Sequence, residues 1–136
     1  MLFRSGAEDL LKLTELPQAR RVPGTTGLYH FAILYPNRRE LARSIARLFS
    51  LRYPNYPTDH LMTETTYLDD PEGNGIELYA DTPERGRWDM SEDGFGAIDS
   101  QGNPHSGREP LDLETLMVEL QPDDPLDQAE IGRAHV

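Results

Sequence analysis

The chain has 136 residues, 13 lysines and arginines against 24 aspartates and glutamates, a formal charge of −11 and no cysteine. So acidic a chain is repelled at long range by polyanions, which argues against nucleic acid as a partner. Without thiols there is no disulfide framework, no Cys-ligated zinc or iron–sulfur cluster and no thiol nucleophile, and a cytoplasmic location is expected. No window approaches the roughly 18 consecutive apolar residues of a membrane helix, so no membrane association is expected, and Met1-Leu2-Phe3-Arg4-Ser5 turns polar too soon for a signal peptide. With 37% hydrophobic residues, 11 glycines and 11 prolines, the composition is lean for a compact globule. Either part of the chain is irregular or part of a larger unit is missing.

Gly27-Leu28-Tyr29-His30-Phe31-Ala32-Ile33-Leu34-Tyr35 predicts a strand, bounded by Gly27 and Pro36, with Leu28, His30, Ala32 and Leu34 on one side. A helix follows. Asn37 is its N-cap, Glu40 completes a capping-box spacing, and Leu41, Ala42, Ile45, Leu48 and Phe49 make its apolar stripe. Arg38, Arg39, Arg43 and Arg47 are expected on the solvated face, and Pro54 closes the helix. A short segment around His60, a strand over 64–68, a turn Asp70-Pro71-Glu72-Gly73-Asn74-Gly75 and a strand over 75–80 complete a β-α-β-β-β order. The Asn74-Gly75 pair is expected to supply the positive-φ positions of the hairpin, and Asp70 and Asn74 its side-chain turn bonds.

The charge is unevenly spread. Nine basic residues face eleven acidic ones up to Pro83, and four face thirteen after it. That acidic second stretch, including Ser91-Glu92-Asp93-Gly94-Phe95-Gly96, is expected to be mostly irregular, because few apolar groups offset the backbone entropy of ordering. One exception is 111–120, where Leu113, Leu116, Met117 and Leu120 fall at helical spacing after Pro110. A short helix there could pack on this chain or on a partner. His105 and His135 suggest no role.

Thr58-Asp59-His60, Tyr67, Asp70-Pro71-Glu72-Gly73 and Glu77 together resemble the signature of extradiol ring-cleavage dioxygenases in the vicinal oxygen chelate superfamily, which also holds glyoxalases and bleomycin-resistance proteins. One position departs: Thr66 stands where a large apolar residue usually precedes the tyrosine. The resemblance, to catechol 2,3-dioxygenase-like proteins, covers roughly residues 10–84. It implies an α+β fold of βαβββ modules and a mononuclear metal, Fe(II) or alternatively Mn(II) or another divalent ion, held by two histidines and a glutamate. His30 and Glu77 match two of these ligands. His60 and Tyr67 match neighbouring positions that would move protons and hydrogen-bond a substrate oxygen. A buried core histidine, an exposed loop His60 and a partly buried strand Tyr67 are the structural alternatives. The implied substrates are a small aromatic diol and dioxygen, the chemistry of aromatic catabolism.

Such a site takes two modules side by side, so residues 23–84 are expected to be the complete second module and 6–22 the last strand of a truncated first. The third ligand, a histidine, would belong to the missing module. When Pro17 is superposed on Pro83, Leu11 falls opposite Glu77, which suits extradiol dioxygenases better than glyoxalases, where both modules carry the glutamate. Residues 85–129 would be the acidic tail. Leu2-Phe3-Arg4-Ser5 can be written CTC TTC CGA TCT, and Glu130 to Val136 as GAG ATC GGA AGA GCA CAC GTC, so 1–5 and 130–136 are expected to be adapter-derived. The chain alone is then an inactive fragment of an extradiol dioxygenase. A glyoxalase-type lyase or isomerase and a metal-free ligand-sequestering protein are the other readings, and a homodimer could rebuild a two-module barrel.

Overall fold

The computed structural model describes residues 2–5, 8–20, 24, 28–90, 96–129 and 132–135, with the backbone alone for 2–5, 8–10 and 133–135. Its centre is a βαβββ unit: β3 (His30–Tyr35), α1 (Arg38–Ser50), β4 (Tyr56–Asp59), β5 (Thr63–Asp69) and β6 (Gly75–Asp81). It is preceded by β1 (Leu2–Ser5) and β2 (Glu8–Lys12), which pair with each other, and followed by β7 (Gly86–Asp89), β8 (Gly96–Asp99), β9 (Pro104–His105), β10 (Glu109–Pro110), α2 (Leu113–Met117) and β11 (Arg133–His135). The large sheet runs β10-β4-β5-β6-β3-β11, with β3 and β6 parallel and the other neighbours antiparallel. The fold is the expected α+β arrangement. Gly27 lies outside the described residues. The two ends expected to be adapter-derived both enter ladders, β1 on β2 and β11 on β3.

Alternation along β3 sends Tyr35 and Ile33 to one face and His30, Ala32 and Leu34 to the other. On the first face Tyr35, Leu78 and Ala80 pack under Leu41, Ala42 and Ile45 of α1, and Leu111 and Leu116 close the core from the C-terminal side. Asn37 caps α1 as expected, its side chain accepting from Glu40 N at 3.0 Å. The helix stops before Pro54. Arg52 takes a left-handed φ of 51°, while Arg52 N bonds Phe49 O and Tyr53 N bonds Leu48 O, the paired closure usually built on glycine. Phe49, expected in the apolar stripe, is exposed.

The arginines of α1 are not the solvated face expected of them. Arg38 bonds Glu64 and Glu119, each at 2.7 Å, and Arg39 forms a two-pronged pair with Asp124. Arg43 is buried, bonding Glu40 as well as the carbonyls of Pro125, at 2.6 Å, and Gln128, at 2.8 Å. Only Arg47 of the four stays exposed. The ties to Glu119, Asp124, Pro125 and Gln128 reach residues more than 80 positions away, which helical periodicity cannot register. Arg39's hydrogen bonds and the Gln121 N–H hold the Asp124 carboxyl down at about 2.

Order in the acidic tail also exceeds the expectation. β7, β8 and β9 form a three-stranded sheet, although 91–95 lie outside the described residues. Its β8–β9 turn repeats the β5–β6 turn. In each, the aspartate Oδ1 (Asp70, Asp99) accepts two backbone N–H groups, one of them from the asparagine four residues on (Asn74, Asn103), and Oδ2 accepts that asparagine's side chain. The shared pattern is Asp-x-x-Gly-Asn, with Gly73 at φ 80° and Gly102 at φ 90°. Gly73, not Asn74-Gly75, therefore supplies the positive φ. The expected helix over 111–120 is regular only at Leu113–Met117; Asp112 caps it and its apolar stripe packs on the α1 core.

Two outcomes follow. Arg43→Ala leaves Glu40 buried without its cation and should cost about 3 kcal/mol in urea denaturation. Tyr35 is buried beneath α1, its oxygen accepting from Ser44 Oγ at 2.7 Å; burial pushes its phenol up, against the pull of that bond. The unfolded chain therefore ionises first, and stability present below pH of about 10 is lost as pH rises further. Tyr35→Phe should remove part of that alkaline loss, read as a smaller drop in the urea midpoint.

Candidate functional site

The sheet face away from α1 carries the site. Tyr67 on β5 is the direct cross-strand partner of Glu77 on β6. Ala32 stands opposite Glu77 on β3, which places His30, two residues back, on the same face and diagonal to the carboxylate. His30 Nε2 lies 3.0 Å from Glu77 Oε2. Glu77 Oε1 accepts from Tyr67 OH at 2.9 Å and from Thr65 Oγ1 at 3.2 Å. Tyr67 OH lies 2.8 Å from His60 Nε2. His60, Tyr67 and Glu77 thus form a chain of polar contacts across the sheet, with His30 against the far oxygen of Glu77.

Two local features make the line possible. At the His30↔Gly75 register position, a Cβ on Gly75 would stand 2.6 Å from Tyr29 O and 3.0 Å from His30 Cβ, so the close approach of β3 and β6 beside His30 demands glycine. His60 sits in the tight β4–β5 turn, where Leu61 takes φ 71°, a conformation costly for a leucine. That turn is held on every side. Asp59 Oδ1 accepts Leu61 N at 2.7 Å, Thr82 Oγ1 donates to Leu61 O at 2.8 Å, Thr82 N to Met62 O at 2.7 Å, and His60 N to Thr63 O at 2.9 Å. Arg85 grips both oxygens of Asp59, at 3.0 and 2.6 Å.

Burial, the charge of Glu77 and its hydrogen bond all push the Tyr67 phenol up, so it stays a proton donor. Thr66, the departure from the signature, is fully buried and satisfied, donating to Asn55 Oδ1 at 2.9 Å. Tyr29 and Tyr56 stand exposed at the mouth of a pocket lined also by His30 and Tyr67. The ring of Trp88 on β7 flanks His60, with centroids 6.3 Å apart. Thr65, Trp88 and the carbonyl of Gly107, 2.5 Å from His60 Nδ1, all escaped the sequence reading. Thr65 could have been found, two residues before Tyr67 and so on its face. His105 pairs with Asp99 at 3.2 Å, away from the line.

Among the described residues no group of three or more His, Asp or Glu side chains could hold a metal ion. His30 and Glu77 nevertheless fit two positions of one divalent cation. Their 3.0 Å separation is that of neighbouring donors with bonds of roughly 2.0–2.2 Å, and imidazole with carboxylate suits divalent iron or manganese. His30 Nδ1 is buried without a hydrogen-bond partner among the described residues.

Over 120 residues, 87% of its length, the chain is 42% identical to the catechol-2,3-dioxygenase of Bacillus subtilis (strain 168). It is a relative of the extradiol dioxygenases. Over 71 residues, 47% of its length, it is 38% identical to biphenyl-2,3-diol 1,2-dioxygenase 3 of Rhodococcus globerulus. The chain spans 39% and 36% of these two proteins. No family model and no solved structure matches it. Among the described residues no helix is long and apolar enough to cross a membrane.

Thr82, 1% exposed, tests how the His60 turn is held. Thr82→Val keeps the shape but leaves Leu61 O unpaired, and should cost about 1–2 kcal/mol in denaturant unfolding. Amide exchange should quicken at Leu61–Thr63.

Proposed function

We propose that this extradiol-dioxygenase relative is the metal-binding part of an enzyme that opens a catechol-type ring with dioxygen. The polar line that runs from His60 through Tyr67 to Glu77, with His30 3.0 Å from that carboxylate, in a chain so similar to a catechol-2,3-dioxygenase, carries the reading. His30 and Glu77 would hold Fe(II), or alternatively Mn(II), with the third ligand a histidine from outside this stretch. Bound there, the metal would take up the diol oxygens and dioxygen and let both oxygen atoms enter the ring next to the diol.

The chain's own residues do the rest. Tyr67 donates to Glu77 Oε1, and Thr65, which shares its proton with Leu78 O, stands beside the same atom, which leaves Oε2, the atom beside His30, for the metal. Tyr67 keeps its phenolic proton at working pH, rests it on Glu77 Oε1 and would turn it to a substrate oxygen once one binds. His60, reached through the Tyr67 hydroxyl, takes or returns the proton of a substrate hydroxyl. Exposed Tyr29 and Tyr56 give a flat aromatic ring apolar edges to settle against. Both relatives carry dioxygenase names, which favours this reading over the glyoxalase-type and metal-free ones.

The test is made on a protein spanning the full length of such relatives and containing this sequence. With Fe(II) and a catechol it should give the absorbing ring-opened product. His30→Ala and Glu77→Ala should each lose the metal, whereas His60→Ala should keep it and slow turnover roughly 10²- to 10⁴-fold. The present chain alone should bind Fe(II) weakly and open no ring. Full turnover surviving loss of His30 or Glu77 overturns the assignment.

A further inference from the structure

We propose that the Gly107 backbone carbonyl, from the acidic C-terminal half, positions His60. It would hold the imidazole as the Nδ1–H tautomer, with Nε2 aimed at Tyr67. The catalytic meaning of this rests on the proposed function; the tautomer does not.

A peptide carbonyl only accepts hydrogen bonds, so a ring nitrogen 2.5 Å from Gly107 O carries a proton. That nitrogen is Nδ1. Nε2, bare in that tautomer and 2.8 Å from the Tyr67 hydroxyl, then shares that hydroxyl's single proton with Glu77 Oε1, 2.9 Å from the same oxygen, and it becomes the nitrogen that exchanges protons with the site.

The surroundings of Gly107 are built to bring the carbonyl there. Gly107 is buried, with φ 68°. A Cβ would meet Trp88 Cζ3 at 3.0 Å, so both backbone and space demand glycine. Two residues on, β10 pairs with β4 through Glu109↔Asp59 and Pro110↔Thr58, which fixes the loop against the strand that ends beside His60. Arg108 N bonds Ser106 Oγ at 3.0 Å, and Ser106 Oγ bonds Glu109 Oε1 at 2.6 Å, tightening the loop from within. The Trp88 ring closes the remaining side.

The groups facing His60 therefore divide cleanly. Gly107 offers an acceptor, Tyr67 a hydroxyl and Trp88 a ring, while the neighbouring Asp59 carboxylate is turned away onto Arg85 and Leu61 N. A βαβββ unit ending near residue 84 would contain His60 without the partner that orients it.

The experiment labels the histidine rings of the full chain with nitrogen-15 and reads long-range proton–nitrogen correlations without metal, assigning His60 by its loss in His60→Gln. At a pH where His60 is neutral, it should show protonated Nδ1 and bare Nε2. In Tyr67→Phe, which removes the Nε2 partner, the same tautomer should persist. In Gly107→Ala, the ring should shift toward a mixture containing the Nε2–H form. Nε2–H in the wild type, loss of the Nδ1–H form in Tyr67→Phe, or an unchanged tautomer in a folded Gly107→Ala each overturns the proposal. If Gly107→Ala fails to fold, the wild type and Tyr67→Phe decide. Failure of the full-length protein to cleave a catechol would remove the proposed function and leave this result standing.

Discussion

The structure is organised around the Glu77 carboxylate. It lies on a half-covered sheet face, its side chain 14% exposed, where a carboxylate without partners would cost several kcal/mol. Three strands supply those partners: Thr65 and Tyr67 from β5 and His30 from β3 meet it on β6. Meeting it fixes the register of all three, because a slip of one residue would turn every one of these side chains to the α1 face. It also explains the glycine at 75, since His30 reaches Glu77 only if β3 and β6 approach without a side chain between them. The same charge raises Tyr67 and keeps its proton.

A second set of charges holds the two halves of the chain together. Part of the acid after residue 83 turns back onto the helix. Glu119 and Asp124 return to Arg38 and Arg39, and the carbonyls of Pro125 and Gln128 return to Arg43. Arg85 joins Asp59 to Glu64, and Glu64 joins Arg38. These ionic bonds and the hairpin bonds, with buried Leu111 and Leu116, order a segment whose composition alone argued for irregularity. These pairs are half-buried, which shields them from screening better than exposed ones.

What the sequence made legible follows from which signals are local. Helix capping at Asn37, alternation along 30–35 and the Asp70–Asn74 turn depend on residues within a few positions, and each could be read directly. His60, Tyr67 and Glu77 were singled out by the spacing of one signature, and His30 by its place on the strand before the helix. The Arg38, Arg39 and Arg43 pairings were not, because a solvated and a clasped helix face share one periodicity. The three-stranded sheet over 86–105 could have been found: Asp99-Ser100-Gln101-Gly102-Asn103 repeats the pattern of Asp70-Pro71-Glu72-Gly73-Asn74, and the same side-chain bonds make both turns. Gly107 carried no side-chain signal at all, since its contribution is a backbone oxygen that every residue possesses.

That oxygen differs in kind from the more familiar partner of a histidine. A carboxylate at Nδ1 would fix the tautomer too, but it would add a second negative charge to a line that already holds that of Glu77. The chain does hold a carboxylate beside His60, that of Asp59, and commits both its oxygens to Arg85. Orientation is thereby separated from charge: a neutral dipole sets the direction of the ring, while the arginine absorbs the nearest acid. The negative charge of the site stays concentrated at Glu77, where a divalent cation would gain most from it. The acidic half of the chain thus serves the site through one uncharged atom, and two of its carboxylates, Glu119 and Asp124, face arginines of α1.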